Sequence, residues 1–358
     1  MKNCSTICIH KHLEKLKTVV FQEGLGTVYD KAGRLERLAA VIADALGADE
    51  TEKQKAVRAA KLAKADLVTG MVTEFTELQG VMGRSYAVLD GENPEVAEAI
   101  DEHYLPRFAG DRLPQTTAGR VVSLADKIDN IVATFSRGLI PTGSQDPFAL
   151  RRQALGLVRT VVEAKLRFSL SARVVAAMDA LSISEAAARD KMQADVAEFL
   201  RLRVKNVLDE AGVRYDVADA VLGDVDDICA VYQRADAVQK ALTAGTLETP
   251  VQAFTRAANL AQKAESADFD AAAFGVPEEK ALAEAYEKAK SKAETCVRAD
   301  DYAGAIEALS EMAKPIDAFF DAVMVMDEDA KVRANRLGLL KSIDALTKNV
   351  ADFSKLVM

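Results

Sequence analysis

The spacing of apolar residues constrains this chain more than any other feature, because it is helical along nearly the whole sequence. Between residues 121 and 135, and again between 339 and 353, apolar side chains recur at alternating steps of three and four. An α-helix has about 3.6 residues per turn, so this spacing places one apolar stripe on each helix, facing a core. The period-two alternation typical of strands is almost absent. We therefore predict an all-α protein.

The charge balance and the scarce histidines narrow the functions open to the chain. With 55 acidic and 46 basic side chains, a net charge of −9, nucleic-acid binding would have to come from local basic patches. The 3 histidines leave few groups for acid–base chemistry near neutral pH or for metal binding. No stretch approaches the roughly 20 apolar residues of a membrane span, and the 4 scattered cysteines favour a reducing compartment. These features predict a cytoplasmic protein that does not enter a membrane.

Turn-forming and capping residues divide the predicted helices. Asp146 and Pro147 predict a helix start, with the carboxylate capping free amides and the proline in the first helical position. A long helix is predicted from about residue 190 to residue 210, ending before Gly212. The length of 358 residues suggests two domains, with the boundary between residues 167 and 183.

The first thirteen residues do not continue the helical pattern and form an atypical start to the chain. Four of them have side chains suited to zinc: Cys4, Cys8, His10 and His12. Their spacing matches no standard ligand pattern, so an irregular N-terminal segment without a metal is the favoured interpretation.

Five ordered stretches carry a resemblance to a known family: residues 18–31, 64–83, 104–111, 125–129 and 146–154. They resemble, in sequence and in spacing, the β subunit of bacterial heterodimer-type glycyl-tRNA synthetase (glycine–tRNA ligase). The resemblance runs over residues 14–358 and covers only the C-terminal half of that subunit. It implies that the N-terminal half is missing, and we expect the chain to be a fragment or the product of a split gene.

The resemblance implies an HD-like helical domain over residues 14–180. In such a domain, histidines and aspartates hold a metal ion that activates water. By resemblance, Ala65 and Asp66 occupy the position of the His-Asp pair, and Asp126 that of the distant aspartate. Two carboxylates alone make a poor metal site. We therefore expect Asp66 and Asp126 to be vestigial, either capping helices or pairing with Lys64, Lys127 or an arginine.

A basic segment follows in the same domain. Arg152 and Arg159 are seven residues apart and therefore share one helix face. With Arg151, they are candidate contacts to tRNA phosphates, because guanidinium groups bind phosphate through paired donors. The alternative is that these arginines tie their helix to acidic neighbours such as Asp126 and Asp129.

Residues 181–358 are similar to the DALR-type anticodon-binding domain of several synthetases. Four stretches carry this similarity: residues 198–205, 253–260, 319–326 and 335–340. The cationic residues in them that are candidate tRNA contacts are Arg201, Arg203, Lys205 and Arg256. The residues expected to fill the core are Phe199, Leu202, Val221, Met324 and Met326.

The resemblance implies that this chain is a tRNA-binding portion of the ligase, which positions tRNA(Gly) for a separate α subunit. That α subunit would use ATP with magnesium for glycylation, so we expect no catalytic residue, cofactor or metal in this chain. Two alternatives remain open. One is a metal-dependent HD-type phosphohydrolase, and the other is a helical interaction scaffold that does not bind RNA.

Overall fold

The structure, a computed structural model, describes residues 9–358, and within that range no β-strand forms. The two extended pairings there are isolated bridges, Val20 with Thr27 and Thr142 with Gln145. The all-α prediction is confirmed. No helix in the described range is both long and apolar enough to span a bilayer.

The chain folds as two compact units. The first contains the described residues up to Val207 together with residues 225–229, and the second contains residues 208–224 and 230–358. Each unit is a group of residues that contact one another more than they contact the rest of the chain. The family domains expected over residues 14–180 and 181–358 stay a prediction.

Ten α-helices begin between residue 9 and residue 207. They are α1 (Ile9–Leu13), α2 (Val28–Ala45), α3 (Glu50–Leu62), α4 (Gly70–Glu74), α5 (Val81–Leu89), α6 (Pro94–Glu102), α7 (Thr117–Ser136), α8 (Leu150–Glu163), α9 (Leu170–Ala180) and α10 (Ala186–Glu210). The long helix α10 ends just before Gly212, whose φ of 75° is the left-handed conformation that favours glycine after a helix. The predicted end of this helix is therefore confirmed.

Seven helices follow α10. They are α11 (Tyr215–Val221), α12 (Ile228–Thr243), α13 (Glu248–Ala261), α14 (Pro277–Arg298), α15 (Tyr302–Ser310), α16 (Ala313–Ala322) and α17 (Ala330–Lys348). Helix α17 ends before the last apolar residue of its predicted stripe. Phe353 instead lies in a short 3₁₀ turn, where it is buried with its ring centroid 5.2 Å from that of Phe254. The apolar spacing continues past the helix because both segments face the same core.

Helix α7 forms the centre of the first unit, since it packs against α2, α3, α6, α8 and α9. Its predicted apolar stripe is buried, with Leu124 and Ile128 almost fully excluded from solvent. Because neighbours surround it, α7 also buries its polar residues, among them Asp126, Lys127 and Asp129. The burial of charged groups on a central helix requires partners from the surrounding helices.

The predicted start of α8 is wrong by three residues. The chain makes a turn after Asp146, Ala149 adopts a left-handed φ of 53°, and the helix begins at Leu150. The Asp146 carboxylate nevertheless caps the helix, accepting the amides of Leu150 and Arg151 over 2.8 and 2.9 Å. The predicted capping by Asp146 is therefore confirmed. The turn moves the start of the helix to Leu150, where the Asp146 carboxylate can accept the first free amides of α8.

Gly338 allows α17 to pass close to another backbone segment of the second unit. A Cβ at this position would lie 2.0 Å from the carbonyl oxygen of Asp268, which is backbone and cannot rotate away. We expect Gly338→Ala to destabilise the second unit by about 1–3 kcal/mol, measured by urea denaturation. Gly33→Ala in α2 is the matched control, because no atom lies within 4 Å of its added Cβ. Equal stability of the two variants would contradict the close packing at Gly338.

Candidate nucleic-acid interface

Asp66 is fully buried in a 3₁₀ turn and acts as a remote cap for α5. Its Oδ2 accepts the backbone amides of Gly80 and Gly83 over 2.7 and 3.1 Å. Burial raises the pKa of the Asp66 carboxyl, while these two amides act in the opposite direction. Since Gly80 has no side chain with which to cap α5, the Asp66 carboxylate supplies the missing acceptor.

Asp126 and Asp129 lie about one turn apart on α7 and contact cationic side chains from other segments. Lys31 of α2 places its Nζ 2.9 Å from Asp126 Oδ1 and 2.8 Å from Asp129 Oδ2. Arg34 donates to Asp129 Oδ1 over 2.7 Å. Lys64 donates to Asp126 Oδ2 over 3.1 Å. We call these five residues, all nearly excluded from solvent, the buried charge cluster.

Opposite charges within this cluster stabilise the ionised forms of Asp126 and Lys31. Burial alone would raise the pKa of the Asp126 carboxyl, but Lys31 and Lys64 hold it well below its usual range. Burial would likewise lower the pKa of the Lys31 amine, but Asp126 and Asp129 raise it instead. For Lys64, burial outweighs the attraction of Asp126 and lowers the pKa of the amine. Asp126 and Lys31 therefore stay charged around neutral pH.

His103 contacts the cluster through Lys64, whose Nζ lies 2.8 Å from His103 Nε2. A lysine ammonium only donates, so Nε2 accepts, and Nδ1 carries the proton that it donates to Ile100 O over 2.6 Å. Burial, reinforced by the charge of Lys64, holds the pKa of His103 well below its usual value, so the ring is neutral. Sequence analysis gave His103 no role, because nothing in its neighbourhood along the chain links it to Lys64.

The residues around Asp66 and Asp126 do not fit a metal ion. The Lys64 ammonium already lies between His103 Nε2 and Asp126 Oδ2, where a metal would need both groups. A lysine cation and a divalent ion at that spacing would repel each other strongly. The second carboxylate, Asp66, accepts backbone amides. Within residues 9–358, no group of three or more histidine, cysteine or acidic side chains could hold a metal.

The N-terminal cysteines of the suggested zinc site, Cys4 and Cys8, lie outside the described residues. His10 is described, and it contacts the surface ion pair formed by Arg58 and Glu92. Its Nε2 lies 2.9 Å from Glu92 Oε1. His12 lies on the same short helix, α1, and is half-buried.

The arginines of α8 differ in their surroundings. Arg152 is exposed and has no hydrogen bond or ion pair within residues 9–358, whereas Arg151 and Arg159 are half-buried. Asp126 and Asp129, the acidic neighbours named as alternative partners of these arginines, are paired instead with Lys31, Arg34 and Lys64 of the buried charge cluster.

The candidates on α10 are less accessible than the sequence suggested. Arg203 is buried, its guanidinium carbon lies 3.9 Å from the centroid of the Phe199 ring, and it donates to Phe199 O over 2.9 Å. Arg201 is paired with Glu198 over 2.7 Å, and Lys205 is half-buried. Leu202 was expected in the core but is 45% exposed, because it lies on the face of α10 opposite the buried stripe.

The remaining candidate, Arg256 on α13, lies at the surface of the second unit. Its guanidinium carbon is 4.6 Å from the Phe320 ring centroid, and Nη1 is 3.2 Å from Asp317 Oδ1. The expectation that Met324 and Met326 fill the core is wrong, since they are 74% and 45% exposed. These two residues follow α16 in an extended segment in which alternate side chains point outward.

Comparison with known proteins agrees with this architecture. Residues 251–353 match the DALR anticodon binding domain, which places the chain among proteins that carry such a domain. Residues 5–223, more than half of the chain, match the family described as glycyl-tRNA synthetase beta subunit. The chain belongs to the glycyl-tRNA synthetase beta subunit family, and the resemblance found in the sequence is confirmed.

Individual relatives support the same assignment. The glycine–tRNA ligase beta subunit of Clostridioides difficile is 44% identical over 350 residues, covering 98% of this chain and 51% of the relative. That of Moorella thermoacetica is 47% identical over 354 residues, covering 96% of this chain and 50% of the relative. The chain therefore spans about half the length of these curated relatives.

Proposed function

We propose that this chain is the tRNA-binding portion of a glycine–tRNA ligase β subunit. In this proposal it holds tRNA(Gly) so that the 3′ end reaches the active site of an α subunit, which uses ATP and magnesium for glycylation. Fixing one reactant near a catalytic site accelerates a reaction by proximity alone. The observation that carries the proposal is the match of residues 251–353 to an anticodon-binding domain. The whole assembly would act in the cytoplasm.

Each unit would contribute its own cationic surface to the tRNA. In the first unit, the exposed guanidinium of Arg152 is available to phosphates, with Arg151 and Arg159 on the same helix. In the second unit, Arg256 is half-exposed beside the Phe320 ring. An arginine plane held against an aromatic ring is a suitable platform for an unpaired base of an anticodon loop. Arg201 and Lys205 are further candidates, while Arg203 would act through the packing of α10.

The proposal predicts salt-dependent binding that is weakened by charge reversal on α8. We expect tRNA(Gly) binding, followed by fluorescence anisotropy in a salt series, to fall steadily as salt rises. Arg152→Glu with Arg159→Glu should lower the affinity at least about tenfold and flatten the salt dependence, because phosphate contacts are lost. The matched control is Lys11→Glu with Lys15→Glu, two exposed residues of the same unit, which changes the net charge equally.

The outcomes separate this proposal from the alternatives. Unchanged affinity in the α8 variant would remove that helix from the RNA surface. No binding of the wild-type chain to tRNA, together with capture of the α subunit in a pull-down, would favour the scaffold without RNA binding. ATP–pyrophosphate exchange by this chain without a partner would contradict the assignment of catalysis to the α subunit. The phosphohydrolase alternative is disfavoured because Lys64 occupies the position that a metal would need.

A further inference from the structure

A cavity of about 480 Å³ opens beside the buried charge cluster, inside the first unit. Its lining is unusually cationic for a chain whose net charge is −9. The basic side chains in the lining are Lys31, Lys64, Arg107, Lys127 and Arg152. The carboxylates in the lining are Glu77 and Asp126. Carboxylates outside the lining neutralise part of this charge, Asp129 at Lys31 and Asp101 at Arg107, and the excess that remains lies at Lys127 and Arg152.

Lys127 is the clearest part of this excess. Its buried Nζ donates to Ser123 Oγ and Leu105 O, each over 2.7 Å, and to His103 O over 3.3 Å. All of these acceptors are uncharged, and within residues 9–358 Lys127 has no ion-pair partner. Burial lowers the pKa of the Lys127 amine to about 7. A buried lysine that lines a cavity and forms no ion pair within residues 9–358 is well placed to stabilise an anion there.

Two arginines of the lining, Arg107 and Arg152, add guanidinium donors to the cavity. Arg152 is exposed and has no hydrogen bond or ion pair in the described part of the chain. Arg107 is held by Asp101 Oδ1, 2.5 Å from its Nη2, which leaves other guanidinium donors free for a ligand. Two arginines in the lining of one cavity suit a phosphate group, which guanidinium groups bind through paired hydrogen bonds.

The walls add features that a bare phosphate would not need. Phe21, Leu67 and Pro106 provide apolar surface, and the amide side chains of Gln79 and Gln153 line the same cavity. Apolar walls with a few amides suit a planar base, whose faces stack and whose edges accept and donate hydrogen bonds. A volume of 480 Å³ exceeds what a phosphate ion requires and lies within the range of small-molecule sites.

We propose that this cavity binds a single nucleotide, with its phosphate at Arg107 and Arg152 and its base against the apolar wall. The nucleotide could come from solution, as a nucleoside monophosphate, or from an unpaired residue of an RNA strand. The chemistry recognised is the same in both cases. This inference goes beyond the proposed function, which uses Arg152 as a surface contact to tRNA phosphates and requires no cavity for a single nucleotide.

Calorimetric titration of the wild-type chain with nucleoside monophosphates tests the proposal. We expect saturable binding with a dissociation constant below about 1 mM, and much weaker binding of inorganic phosphate or of the unphosphorylated nucleoside. Arg152→Gln should weaken binding about tenfold or more, because the lining loses a paired donor. Arg84→Gln is the matched control, since Arg84 is exposed, pairs with Glu98 and does not line the cavity.

A second readout follows Lys127 directly. Lysine-selective NMR should show the amine of Lys127 titrating at a higher pH when a saturating nucleoside monophosphate is present, because the bound phosphate supplies a negative charge. This measurement uses the wild-type chain and does not depend on the folding of any variant. A titration unchanged by the nucleotide would overturn the placement of the phosphate.

The two sources of the nucleotide, and the two proposals, are separated by parallel titrations. Tighter binding of an unpaired trinucleotide than of the monophosphate, lost in Arg152→Gln, would support an RNA residue as the occupant, and equal affinity would support a free nucleotide. Binding of tRNA(Gly) without saturable binding of any nucleotide would overturn this inference and leave the proposed function standing. Saturable nucleotide binding by a chain that does not bind tRNA(Gly) would overturn the proposed function and leave this inference standing.

Discussion

Replacing Asp129 by asparagine is expected to unfold the first unit under conditions in which the wild-type chain is folded. The Asp129 side chain is fully buried and balances both Lys31 and Arg34. Asparagine keeps the size but removes the charge, so the three cations of the buried charge cluster, Lys31, Arg34 and Lys64, would be left with the single carboxylate of Asp126. Breaking a buried ion pair by removing one partner costs about 3–5 kcal/mol, a large fraction of the stability of a typical domain.

Hydrogen-exchange mass spectrometry of peptides from α7 is the appropriate measurement for Asp129→Asn, because a chain with two compact units need not unfold in one step. Asp236→Asn provides the matched control. Asp236 also pairs with a lysine, Lys240, but both side chains are more than half exposed, and such pairs contribute little. Similar protection of α7 in the two variants would show that the buried charge cluster does not stabilise the unit.

The second large effect is a rise of stability with pH. The folded-state pKa of Lys127 is about 7, against 10.5 in an unfolded chain. Between these values the unfolded chain is protonated while the folded chain is neutral, so the unfolded state binds more protons and stability rises with pH. The expected gain is about 2–3 kcal/mol between pH 7 and pH 9. The lowered pKa of Lys64 acts in the same direction.

His103 extends the effect to lower pH. Its folded-state pKa lies well below the ordinary value of 6.5, so the unfolded chain takes up a proton first as the pH falls. Stability therefore decreases below about pH 6.5. The Asp126 carboxyl contributes no slope in this range, because it is ionised in both states above about pH 5.

Urea denaturation midpoints from pH 5 to pH 9 test this prediction. Lys127→Met keeps the length of the side chain and removes its titration, so its curve should be flatter than that of the wild type above pH 7. If the urea concentration at the wild-type midpoint decreases as the pH rises from 7 to 9, the burial of a lysine without an ion pair in this unit is contradicted.

The sequence predicted the helices well because the backbone hydrogen bonds and the apolar spacing of a helix are local in the chain. The stripe of α7 and the end of α10 before Gly212 follow from spacing and from one residue's conformational freedom. The start of α8 was wrong because the turn after Asp146 depends on the left-handed Ala149, and alanine gives no signal of that conformation.

The candidate site was less predictable, because its contacts join distant parts of the chain. Lys31 and Asp129 are both ordinary helix residues in the sequence, and only the packing of α2 on α7 brings their side chains together. Arg203 shows the converse case. Its neighbours along α10 suggested an exposed cation, but the ring of Phe199 covers its guanidinium. Local sequence gives the charge of such a residue and not its exposure.

The Lys64 ammonium has a consequence for how this unit could evolve. A metal ion can be lost and regained, but a lysine is covalently part of the chain, so its amine stays beside Asp126. Introducing an imidazole ligand at the position of Ala65 would leave the amine in place, and removing the amine first would leave Asp126 with Lys31 alone. A metal site at Asp126 would thus have to be reached through a less stable intermediate, and selection for folding would oppose each single step.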